Sequence, residues 1–94
     1  VANAHERYLQ EEAVFDAITD ERRRQVEKFG DQSGNPDERW LTILTEEVGE
    51  IAEAVLDYDS ARLNAPAAFA AGLHLKEEIT QAAAVLVAWL ETWE

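Results

Sequence analysis

Along the whole of this chain apolar residues return every three or four positions, and no segment sustains the two-residue alternation of a half-buried strand. That property restricts the fold to packed helices. Between residues 10 and 29 the apolar positions Val14, Phe15, Ile18, Val26 and Phe29 keep helical spacing, and Gly30 supplies a stop. Residues 30–38, GDQSGNPDE, favour turns over helical hydrogen bonding and read as a loop. Asp37 is then the expected N-cap of a second helix running to about residue 58, with Leu41, Leu44, Val48, Ile51 and Val55 on its apolar row. A last helix is expected over residues 73–93, burying Leu75, Ile79, Ala82, Leu86, Leu90 and Trp93.

Two segments stay open. Residues 1–9 are consistent with an extension of the first helix, a separate helical turn or a mobile arm. Residues 57–72, with Asn64 and Pro66 at a helix start and an alanine-rich run ending in Gly72, fit a short helix or a mobile connection. The expectation is a single all-α domain over residues 1–94, a small bundle of three long helices plus a short one. At 94 residues such a chain barely buries enough surface to fold alone, so oligomerisation is expected to complete it. Leu86, Val87, Leu90 and Trp93 are the expected interface.

Twenty acidic residues against eight Lys and Arg give a net charge of -12. That balance repels duplex nucleic acid and anionic membranes and favours cations. Without cysteine there is neither a disulfide framework nor a thiolate site, so a bound metal would be a hard cation held by oxygen, Mg²⁺ first and Mn²⁺ next. With no bilayer-length apolar stretch and no leader pattern, the expected location is the cytoplasm.

The acids are not scattered. Residues 45–55 read TEEVGEIAEAV and residues 76–86 read KEEITQAAAVL, so that paired glutamates recur with a third oxygen-bearing side chain three positions on. At about 100° per residue, Glu47 and Glu78 each fall about 80° from their helix's apolar row, Glu50 and Gln81 about 140°, and Glu46 and Glu77 on the opposite side. Antiparallel packing brings the two flanks together; parallel packing separates them. Antiparallel neighbours are the common solution in a small bundle, and they let Glu47, Glu50, Glu78 and Gln81 converge. Close carboxylates resist joint ionisation unless a cation neutralises them, and with one they form an oxygen cage. The competing reading is a solvated acidic face on two amphipathic helices. Neither His5 nor His74 lies in a Glu-x-x-His element, which sets a di-iron bundle aside.

These residues resemble the MazG-like all-α nucleoside triphosphate pyrophosphohydrolases, whose signature is EExxE followed on a later helix by ExxD. Here it reads Glu46, Glu47 and Glu50, then Glu78 with Gln81 in place of the usual aspartate. The likeness extends through ERRRQVEKFG (residues 21–30), ERWLTILTEEVGE (38–50) and EEITQAAAVLVAWLE (77–91), most of the chain after Ile18. The resemblance implies Mg²⁺-dependent hydrolysis between the α and β phosphates of a nucleoside triphosphate. It implies catalytic roles for Glu46 and Glu47, metal ligation by Glu47, Glu50, Glu78 and Gln81, and a homodimer or dimer of dimers. The Gln81 variant carries one negative charge fewer than the full motif.

On the first helix Arg22 and Gln25 lie within about 40° of Ile18 and interrupt its apolar face. They either satisfy each other's surroundings, Arg22 on a carboxylate and Gln25 on backbone, or line a nucleotide pocket. By resemblance Gln25 would contact base or sugar and Lys28 a phosphate. Arg23 and Arg24 are expected to face solvent or another subunit's acids. Trp40 is placed to stack on a base, to close a lid, or to pack in the core. Trp89 and Trp93 are assigned to packing or a subunit interface, and Gly49 to a close approach of helix or phosphate. The rival functions are a catalytically silent nucleotide- or metal-binding regulator and a helical interaction module.

Overall fold

A computed structural model describes residues 3–94 and shows an all-α protein of three helices, with no strand among the described residues. Helix α1 spans Ala4–Phe29, α2 Asp37–Ala61 and α3 Ala65–Glu91. Residues 4–9 prolong α1. The reason is a capping box: the Asn3 carboxamide accepts from the Glu6 amide at 2.8 Å while the Asn3 amide donates to the Glu6 carboxylate at 3.3 Å. The expectations for Val1 and Ala2 lie outside the described residues. At the other end Gly30, at φ 76°, closes α1 by donating its amide to Val26.

Two boundaries differ from the sequence reading. Pro36, not Asp37, is the N-cap of α2. Asp37 is the first helical residue, and its carboxylate accepts hydrogen bonds from the indole N–H groups of Trp89 (2.8 Å) and Trp93 (3.2 Å). The separate short helix is absent, because Asn64 caps Ala67 at 3.2 Å and α3 then runs unbroken through Gly72 to Glu91. Gly72 marks a close approach rather than a stop: a Cβ there would meet the Tyr58 ring at 3.4 Å.

These tertiary contacts fix direction. Asp37 at the start of α2 meets the end of α3, and Tyr58 near the end of α2 meets the beginning of α3, so the two helices are antiparallel. α1 packs on α3 alone and its backbone does not approach α2. The core between α2 and α3 is built on Trp40, Val85 and Ala88, with Ile43, Leu44 and Trp89 against them.

The buried faces are rotated from the expected ones. On α2 the row facing α3 is Trp40, Ile43, Leu44, Glu47, Ile51 and Ala54, while Leu41, Val48 and Val55 are exposed. On α3 the buried residues are Glu78, Ala82, Ala84, Val85 and Ala88. Of the expected row only Ala82 is buried and Leu75 half-buried, whereas Ile79, Leu86, Leu90 and Trp93 stay exposed. The physical reason is that from Ala82 to Leu90 α3 is apolar on every side, so its largest side chains do not mark its inner face. Its alanine side admits neighbouring helices closely. On α1, likewise, Val14, Phe15, Val26 and Phe29 are exposed and Gln25 is the buried residue.

Candidate metal centre

Because of that rotation, Glu47 and Glu78 lie inside the α2–α3 contact rather than on its flank. Glu47 stands between Leu44 and Ile51 on the facing row of α2 and is half-buried. Glu78, on the opposing face of α3, is only 7% exposed. Glu50, one turn beyond Glu47, is exposed. Carboxylate oxygens of all three lie within 4.8 Å of one another.

The cluster holds more negative charge than the chain neutralises. One oxygen of Glu47 and one of Glu78, both Oε2, are buried with no hydrogen-bond partner. Burial pushes the Glu47 carboxyl above its ordinary range, and the charges of Glu50, Glu78, Glu21 and Glu46 push it further. Glu78 is raised first by burial, then by a hydrogen bond and charge repulsion from Glu50. His74 opposes that shift from one turn earlier on α3, its Nε2 3.6 Å from the Glu78 carboxylate. Buried carboxylates with orphaned oxygens and no committed counter-charge fit a hard divalent cation, which would satisfy both the lone pairs and the repulsion.

The structure brings together Glu47, Glu50 and Glu78. Gln81, the fourth expected ligand, is half-buried one turn along α3, and its backbone carbonyl accepts from Gln25 Nε2 at 3.4 Å. Its side chain borders a groove of about 720 Å³ between α1 and α3, shared with Asp20, Glu21, Arg24, Lys76 and Glu77. Glu46 is exposed and outside the cluster, as is Glu77, in keeping with the helical arithmetic. Gly49 makes no close approach, since a Cβ there would meet nothing within 4 Å.

Of the residues expected to contact a nucleotide, two are engaged within the chain. Arg22 donates from Nε and Nη2 to one oxygen of Glu91, at 2.9 and 2.6 Å. Gln25 Nε2 reaches Glu21 at 3.1 Å as well as the Gln81 carbonyl. Lys28 lies over its neighbour Phe29, 5.1 Å from the ring centre. Trp40 is a core residue, 2% exposed, with its indole N–H buried and unpartnered. Arg22 and Trp40 also border a cavity of about 330 Å³ under the residue 30–33 loop and the end of α3.

Two neighbours of the centre escaped the sequence reading. His74 was legible in the four-residue spacing to Glu78, which puts both on one helix face. Glu21 was not, because it comes from α1 and only tertiary packing carries it to the acids. The chain matches no protein-family model, no curated protein and no solved structure.

Proposed function

We propose that the chain is a Mg²⁺-dependent nucleoside triphosphate pyrophosphohydrolase of MazG-like type, Mn²⁺ being able to replace Mg²⁺. It cleaves an NTP or dNTP between the α and β phosphates, giving a monophosphate and pyrophosphate, and so clears surplus or noncanonical nucleotides from the cytoplasmic pool. The observation that carries this reading is the pair of buried, unpartnered carboxylate oxygens on Glu47 and Glu78, two residues that cluster with Glu50 across two antiparallel helices. The hydrolytic assignment adds the motif order described above.

In this reading Glu47, Glu50 and Glu78 hold the cation, and Gln81 contributes at most a neutral carbonyl. A bound divalent ion would supply charge stabilisation at the phosphates and a lowered pKa for water. Trp40 precedes Glu47 by seven residues on the same helix, about 10 Å at 1.5 Å per residue. The cavity that Trp40 borders with Arg22 thus lies within reach for a nucleoside whose phosphates address the acids. The exposed rows Leu41, Val48 and Val55 on α2 and Ile79, Leu86 and Leu90 on α3 are the surfaces a homodimer or dimer of dimers would cover.

The test is a panel of NTPs and dNTPs incubated with Mg²⁺ and followed by phosphorus NMR. Pyrophosphate and a monophosphate should form in equal amounts, and Glu47→Gln and Glu78→Gln should abolish both. Calorimetric binding of metal and nucleotide without products would make the chain a silent regulator, the reading that the uncharged Gln81 favours. Absence of cation binding would leave a helical interaction module.

A further inference from the structure

We infer that the ion pair of Arg22 and Glu91 reads the hydrogen-bonding edge of the nucleobase, its uncommitted carboxylate oxygen taking an N–H and its uncommitted guanidinium nitrogen donating to the acceptor beside it; this rests on the nucleotide reading above. Location is the first support. The cavity of about 330 Å³ lies where all three helices meet the residue 30–33 loop, and both members of the pair border it, Arg22 from α1 and Glu91 as the last residue of α3. Its apolar wall is the second. Val26, Trp40 and Ala88 border the same space, and Trp40 and Ala88 belong to the core between α2 and α3. A concave site that is mainly apolar and carries a few placed polar groups is the usual form of a small-molecule site.

The third support is that the pair is lopsided. Arg22 Nε and Nη2 both donate to Glu91 Oε1, at 2.9 and 2.6 Å, instead of spanning the two oxygens as a bidentate pair does. That fills both lone pairs of Oε1, while Glu91 Oε2 and Arg22 Nη1 have no partner among the described residues. The Arg22 side chain is only 23% exposed, so packing holds it as well as the pair. A free acceptor and a free donor tied to each other match any ring edge that sets an N–H next to a carbonyl or a ring nitrogen. Every unmodified nucleobase has such an edge. The device therefore accepts a base as such and rejects one alkylated on that edge, because a charged group of the site is then left unpaired.

Nucleoside monophosphates, which offer no α–β bond to cleave, test this without turnover. In calorimetric titration of the full chain with Mg²⁺ present, uridine and guanosine 5′-monophosphates should bind about tenfold or more tightly than their N3-methyl and N1-methyl derivatives, the weight of one hydrogen bond to a charged group. Glu91→Ala should weaken the parent nucleotides and bring each methylated one within about twofold of its parent, since the group that told them apart is gone. An ion pair that only braces the fold would weaken all four alike and keep the ratio, which overturns the proposal. Glu53→Ala, which removes the same charge from an exposed position that does not border the cavity, should move neither affinity nor ratio by more than about twofold; a collapsed ratio there refutes the assignment to Glu91. Should Glu91→Ala fail to fold, Arg22→Met takes its place, because loss of the neighbouring donor should collapse the same ratio. A wild-type chain that binds parent and methylated nucleotides equally, or binds none at up to about 10 mM, well above ordinary KM values, also overturns it. The hydrolytic reading is decided separately, by pyrophosphate formation in the panel above: discrimination without products leaves the base site in place and makes the chain a silent regulator.

Discussion

Replacing Glu78 with glutamine should stabilise the metal-free protein and remove its response to Mg²⁺. The carboxylate oxygens of Glu47, Glu50 and Glu78 lie within 4.8 Å of one another. At that distance and an effective dielectric of about 20, two unit charges repel by about 3 kcal/mol. That figure suits the Glu47–Glu78 pair inside the helix contact. Repulsion from the solvent-exposed Glu50 is screened to about 1 kcal/mol for each partner. A fully ionised cluster then costs about 5 kcal/mol, and Glu78 is responsible for about 4 of it. This rivals the whole stability of a weak domain, about 5 kcal/mol, and the upward shift of the Glu47 and Glu78 carboxyls is the same repulsion and burial acting on their titration. With burial and solvent relaxation offsetting part of that fully ionised limit, removing the Glu78 charge is expected to recover about 1–2 kcal/mol. Glutamine removes it while offering an amide donor to Glu47 or Glu50, so no new buried group is orphaned. For a domain of this size, about 1 kcal/mol moves the melting temperature by about 4–8 °C. In EDTA, scanning calorimetry should therefore show Glu78→Gln melting at least about 4 °C above wild type. With Mg²⁺ at about a hundred times its Kd the wild type gains about 2.7 kcal/mol and the variant gains nothing, so the order reverses. A variant that melts below wild type in EDTA and still rises with Mg²⁺ would refute the reasoning, because Glu78 would then be an ordinary packing residue.

The pH dependence of the metal-free protein has a defined sign. Glu47 and Glu78 are raised above 4.5, so their contribution is fully present below about that pH and is lost as pH rises through their folded values; Glu21, lowered by Arg24, behaves oppositely. Urea melts should show stability rising from pH 7 to about 5 and falling below about 4, with the rise flattened in Glu47→Gln and Glu78→Gln. Gln81→Asp should tighten Mg²⁺ binding about tenfold through added ligand charge, with Glu46→Gln and Glu77→Gln, both outside the cluster, nearly unchanged; titration calorimetry reads all three. Because a stable interface covers about 800 Å² per partner and the outward rows of α2 and α3 offer an apolar surface, light scattering at micromolar concentration should give at least a dimer. Leu86→Glu with Leu90→Glu should lower that mass to the monomer while helical circular dichroism persists.

What the sequence determined by itself is what depends on neighbours along the chain. Helical periodicity gave the all-α class, Gly30 ended α1, and the loop expected over residues 30–38 holds over 30–36, Asp37 and Glu38 being the first residues of α2. The i, i+3 and i+4 spacing also placed Glu46 and Glu77 outward and set Glu47 and Glu50 near each other, because one helix turn fixes those relations. The Asn3–Glu6 capping box was equally local, and its absence from the expected boundaries reflects a signal overlooked. Tertiary structure decided which apolar row was buried. Each of α2 and α3 carries two rows that could face inward, and local rules cannot rank them. Close packing of Ala54, Ala82, Ala84 and Ala88 selected the small side chains, turned Glu47 and Glu78 into the contact, and left Leu86, Leu90 and Val48 outside. The same packing joined Arg22 to Glu91 and brought Glu21 toward Glu47, across sequence separations over which no helical period carries information. A charge cluster in a bundle is set by helix rotation, and rotation is a property of the assembled interface rather than of any one helix.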